Sequence, residues 1–150
     1  VPSQFIVGTD EDGLGHIYEA QEKIEPGAVE LPEHLYTPVE NFESDHIRIE
    51  LIDRLAGEVR SVCKEKLLNA KKELETFIRL AEQLPDRAGW FFDIAPGNLV
   101  FMKKGLRCFD TNYLVPLREL EQRGLNGHVQ EAKDAINRFL QSLKDLSARL

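Results

Sequence analysis

The chain has 150 residues, 42% hydrophobic and 30% charged, with a formal net charge of −7. That length suits one domain with a real core, and the balance argues against wholesale disorder. The negative charge repels phosphate backbones and so disfavours nucleic-acid binding, and apolar runs of only a few residues leave nothing to span a membrane.

In chain order, Phe5-Ile6-Val7 is a short apolar run ending at Gly8, and residues 8–15 are acidic and glycine-rich. The Asp12-Gly13 pair suits a tight reverse turn, and residues 16–24 read as a second strand, which predicts a hairpin. Residues 25–43 carry Pro26, Gly27, Pro32 and Pro38 and read as a connection with little regular structure. From Ser44 to Leu84 there is no proline, and Ile52, Leu55, Val59, Val62, Cys63, Leu67, Ala70, Leu74, Phe77, Ile78, Ala81 and Leu84 recur at three- and four-residue steps. That is an amphipathic helical stripe, with Ser44 as N-cap and Pro85 just past its end. Unbroken, the helix would run on the order of 60 Å. A break is therefore expected near Gly57, or else a long helix serving self-association. Residues 99–102 and 106–109 flank Lys103-Lys104-Gly105 and read as a second hairpin. Helices are expected at 117–123, stopped by Gly124, and at 129–148, with no internal repeat or low-complexity tract.

Several features read as ordinary structure. Lys64-Glu65-Lys66 and Lys71-Lys72-Glu73 read as a solvated helix face. The four histidines, at 16, 34, 46 and 128, lack metal-ligand spacing. Cys63 and Cys108 sit inside apolar patterns on different elements and read as buried thiols of a reducing, cytoplasmic compartment rather than a disulfide. Val1-Pro2-Ser3-Gln4 has no basic region or long apolar segment, so no signal peptide is read there. Val in place of Met at position 1 fits a processed, trimmed or originally longer chain.

The richest stretch is Trp90-Phe91-Phe92-Asp93-Ile94-Ala95-Pro96-Gly97-Asn98-Leu99-Val100-Phe101, followed by Leu106-Arg107-Cys108-Phe109-Asp110. Asp93, Asn98 and Asp110 each sit beside an apolar strand-like run, a layout suited to holding a divalent metal and a phosphate chain. Turn formation around Pro96-Gly97 explains Asp93 and Asn98 taken singly; the joint spacing with Asp110 says more. The pattern of Asp, four residues, Asn, an apolar strand, a hairpin and a second Asp resembles the catalytic loop of the protein-kinase-like superfamily, which includes aminoglycoside and other small-molecule phosphotransferases. The likeness is close over 91–112 and looser upstream.

The resemblance implies an α+β fold: an α-rich kinase-like large lobe with short β-hairpins and a remnant of the small lobe, in a single domain. Residues 1–24 would be the remnant and hinge, and 25–150 the large lobe with the catalytic-loop hairpin. It implies ATP and Mg²⁺ as cofactors, with hinge residues Gln21, Glu22, Lys23 and Ile24 against the nucleotide. Asp93 would take the proton of an acceptor hydroxyl, and Asn98 and Asp110 would hold the metal. The departures are specific. Phe91 stands where the family has His or Tyr, Phe92 and Ala95 where protein kinases have Arg and Lys, and Asn112 where they have Gly. Gly13 and Gly15 are not a nucleotide-gripping loop, because 80 residues cannot hold both the remaining small lobe and some 40 helical residues before Asp93. The glycine-rich loop and strand Lys would thus lie upstream of Val1 or be lost. The expected partners are a nucleotide and an unidentified acceptor, without nucleic acid or membrane. The alternative is a non-catalytic kinase-like module, a pseudokinase, binding a protein partner or a second copy through the 52–84 helical region.

Overall fold

The computed structural model describes residues 4–9, 15–20, 23–32, 35, 43–88, 90–92, 96–109 and 114–150. The fold is α+β and mostly helical. Strands β1 (Gln4–Thr9) and β2 (Gly15–Ala20) pair antiparallel, with Phe5 opposite Glu19 and Val7 opposite Ile17. This is the first expected hairpin, with a second strand that stops at Ala20 rather than 24. The connection that follows contributes β3 (Val29–Glu30), a two-residue strand that proline content had argued against.

Helix α1 (Glu43–Cys63) begins one residue before Ser44, so Ser44 lies inside the first turn rather than capping it. The expected break is present, but not at Gly57. A 3-10 turn, Lys64–Lys66, separates α1 from α2 (Leu67–Ala88), and Lys64 adopts a left-handed backbone with φ 34°. Gly57 lies mid-helix, exposed, with open space around it. A helical glycine costs only about 1 kcal/mol relative to alanine, less than burial of the neighbouring Ala56 and Val59 returns. Helix α2 also continues through Pro85 for three further residues, so that proline lies within the last turn and not beyond it.

Strand β4 (Trp90–Phe92) pairs with β7 (Leu114–Pro116). Between them lie a 3-10 turn (Pro96–Asn98) and the expected second hairpin, β5 (Leu99–Met102) and β6 (Gly105–Cys108), joined by Lys103-Lys104. Gly105 has φ 120°, a conformation open to glycine and costly to other residues. Strand β5 is the centre of the three-stranded antiparallel sheet β3-β5-β6. Helices α3 (Leu117–Gln122) and α4 (Asn126–Arg149) close the chain. Helix α4 starts three residues earlier than its apolar stripe suggested.

The core follows from these periodicities. Ile52, Leu55, Ala56, Val59 and Cys63 of α1, Ala70, Leu74, Ile78 and Ala81 of α2, and Phe139, Leu140, Leu143 and Leu146 of α4 form one buried cluster with Leu99 and Phe101 of β5. Each fully buried Leu, Ile or Phe contributes roughly 1.5–3 kcal/mol to folding. Val100 and Met102 alternate to the other face of β5 and are just as inaccessible, so this strand is covered on both sides. Polar ties hold α4 against its neighbours: Arg48 Nη1 donates to Asp145 Oδ2 at 2.7 Å, Arg149 pairs with Asp53, and Lys144 pairs with Glu82. A smaller cluster of Leu117 and Val129 seats α3 on α4. Among the described residues, no helix is long and apolar enough to cross a membrane.

Candidate active site

Asn98 is the last residue of the 3-10 turn and immediately precedes β5. Its side chain is half-buried, and its backbone carbonyl accepts the Phe109 N–H at 2.7 Å. That bond closes the open end of the β5–β6 hairpin beyond the Leu99–Cys108 pair. In a separate two-stranded sheet, Phe92 at the end of β4 stands opposite Leu114 at the start of β7. Asp93 and Asp110 lie outside the described residues. Their described flanks nevertheless form two joins. Segment 93–95 runs from Phe92 to Pro96, and segment 110–113 runs from Phe109 to Leu114. Phe92 is paired with Leu114, and Phe109 is bonded to Asn98 two residues past Pro96. The Phe109–Asn98 bond therefore sets Asn98 beside the residue that precedes Asp110 in sequence.

Of the expected hinge, Gln21 and Glu22 lie outside the described residues. Lys23 is exposed and Ile24 is 38% exposed. Among the described residues, no three His, Cys, Asp or Glu side chains gather as metal ligands. The oxygen donors the sequence offers, an Asn amide and Asp carboxylates, are the type Mg²⁺ prefers.

The back of the hairpin is held by a residue that sequence reasoning placed on a solvated helix face. Glu73 Oε2 accepts the Leu106 N–H at 2.8 Å, and Oε1 lies 4.0 Å from Arg107 Nη1. A Cβ at Gly105 would overlap that carboxylate. Beside it, Cys63 Sγ–H donates to the Met102 carbonyl at 3.4 Å. Burial pushes the Cys63 thiol pKa up, and the negative charge of Glu73 adds to the effect. Lys64 and Lys66 are solvated as expected, but on a 3-10 turn rather than a helix face, and with Lys103 they line a cleft.

Most of the 52–84 stripe packs in the internal core; Leu68 (64% exposed) and Leu80 (50%) lie on α2 off that stripe. The β4–β7 pairing was missed because three-residue strands carry little periodic signal; the strand-like run Trp90-Phe91-Phe92 and Leu114-Val115 before Pro116 were the hints. Comparison with protein-family models, curated proteins and solved structures gives no match.

Proposed function

We propose that the chain is an ATP- and Mg²⁺-dependent phosphotransferase of the kinase-like type, or a piece of one. The observation that carries this reading is Asn98 at the entry to β5, its carbonyl bonded to the N–H of Phe109, the residue before Asp110 in sequence. Asp93 is the base that accepts the proton of an acceptor hydroxyl. Asn98 and Asp110 are the residues that would hold Mg²⁺, which when bound neutralises charge on the phosphates. Residues 21–24 are the nucleotide-facing hinge. A chain without a recognisable phosphate-clamping Lys and glycine-rich loop is expected to turn over ATP very slowly, because such cations act together in the transition state.

Thermal melts with Mg²⁺-ATP test the reading. Ligand at ten times its Kd stabilises the fold by about 1.4 kcal/mol, a rise in Tm of roughly 3–5 °C for a chain of this size. Asp110→Asn and Asn98→Ala should shrink the Mg²⁺-dependent part of that rise, whereas Asp93→Ala should leave it in place. Equal rises in all three variants and the wild type would remove these residues from a metal site. A second reading, a non-catalytic module binding a protein, is favoured by the exposure of Leu68 and Leu80 on α2. It predicts a nucleotide-independent complex that Leu68→Asp abolishes.

A further inference from the structure

We propose that the α1–α2 joint is a strained hinge through which two copies of the chain exchange β3 and α1. In the exchanged dimer α1 and α2 of each copy run as one helix, and each α1 packs on the α4 and β5 of the other copy. The partner is a second copy because the surfaces that receive α1 are those of this same fold. The proposal is independent of the phosphotransfer reading.

Three observations carry it. The first is the conformation of the joint. Lys64 has φ 34°, a left-handed backbone that disfavours an L-residue about tenfold. Lys64-Glu65-Lys66 are good helix formers, with no Gly or Pro among them. Local preference therefore favours a helix that runs straight through the joint, against the fold of the single chain. The second is register. Val59, Cys63, Leu67, Ala70 and Leu74 step by four, four, three and four residues across the joint, the spacing of one unbroken helix. A straight run over 43–88 would be about 70 Å long. The third is what α1 rests on. It packs more against α4 and strands β3 and β5 than against α2, its neighbour in sequence. The Arg48–Asp145 and Arg149–Asp53 pairs and the bond from Arg60 to the Arg149 carbonyl all cross from α1 to α4. The Cys63 thiol crosses to Met102 of β5. These contacts and the β3–β5 pairing form equally well with the α4 and β5 of a second copy. Exchange thus keeps the core and replaces the joint alone. Closing a short joint within one chain corresponds to an effective concentration in the millimolar range. Relief of about tenfold at each of two joints lowers the balance point to about 10 µM.

The test is to refold the whole chain from urea at a series of concentrations up to about 1 mM, the range where exchange competes with closure, and to read its mass by sedimentation. A dimer is expected, with a dissociation constant of about 10 µM. Lys64→Gly relaxes the joint of the single chain and weakens the continuous helix, so it should raise that constant at least about a hundredfold. Lys64→Ala removes the side chain but keeps the strain, and should leave the constant within about threefold. Two further variants separate exchange from side-by-side association. Arg48→Asp and Asp145→Arg each place like charges between α1 and α4. Unfolded and refolded together, they restore opposite charges at both contacts only in an exchanged heterodimer, which should exceed its statistical share about fivefold. No dimer at the highest concentration, a dimer that Lys64→Gly leaves as strong, loss of the dimer in Lys64→Ala, or a merely statistical share of heterodimer would each overturn the proposal.

Discussion

The β5–β6 hairpin is anchored differently at its two ends. At the turn end, Glu73 of α2 accepts the Leu106 N–H, the Cys63 thiol meets the Met102 carbonyl, and Gly105 lets the strand run close against the Glu73 carboxylate. At the open end the described ties are mostly backbone bonds, Phe109 N–H to the Asn98 carbonyl and Leu31 N–H to the Leu99 carbonyl, with a long local contact from the Cys108 thiol to the Phe109 carbonyl. Among the described residues, side chains of α1 and α2 hold the turn end, whereas backbone bonds hold most of the open end. A site mounted on a rigid element keeps its geometry without spending its own reactive groups on support. The hairpin therefore reads as a lever seated in the helical core, presenting Asn98 at its free end.

The harshest challenge to this comparison is to remove the seat common to both ends. Phe101 is fully buried and packs in the main core. Phe101→Ala should cost about 3–5 kcal/mol, read as a lower denaturant midpoint with an unchanged slope. A cost below about 1 kcal/mol would mean that the hairpin is not seated in the core, and the contrast between its ends would lose its basis.

A smaller effect separates the locked end from the rest. Gly105→Ala forces a side chain into a backbone at φ 120° and against Glu73, and should cost about 1–3 kcal/mol. Glu73→Ala should cost about 1 kcal/mol, since the Leu106 N–H loses its acceptor at a partly solvated site. The two residues touch, so the double variant should be milder than the sum by at least about 0.5 kcal/mol. Strict additivity in urea melts would show that the carboxylate and the glycine do not interact.

Much of this lever could be read from the sequence, and the reasons for the gaps are physical. Alternating and helical apolar patterns are local, and they announced the hairpin, the α1–α2 stripe and most of α4. Gly105 was legible because a two-residue turn needs a permissive residue beside it. The β3–β5 and β4–β7 pairings are short and rest on partners some 20–70 residues away, so no window of sequence contains them. The break at Lys64 carries neither Gly nor Pro, so no local residue announces it. Glu73 sat among alternating charges that normally face solvent, and its role appears only once β6 lies beside it. Asn98 falls at the start of β5 as its spacing suggested, whereas Asp93 and Asp110 lie outside the described residues.

The two cysteines report the two ends separately, and they give the smallest and most local prediction. Cys63 is 2% exposed and packs at the locked end; Cys108 is half-buried, opposite Leu99 near Asn98. Thiol reagents attack the thiolate, and burial, reinforced by Glu73, raises the Cys63 pKa. Under native conditions Ellman's reagent should therefore modify Cys108 first. Cys63 should react only through local opening of the joint, at least about a hundredfold more slowly. The raised pKa also sets a sign. The folded state holds the Cys63 proton more tightly than the unfolded chain. Its contribution to stability is thus complete below the ordinary thiol range, near pH 8.5, and is lost as pH rises through the folded-state value. Cys63→Ala should flatten the decline in stability above that pH, and Cys108→Ala should leave the Cys63 part of it unchanged. Similar labelling rates for the two thiols would mean that the turn end opens as readily as the Asn98 end, and the lever would have no fixed end.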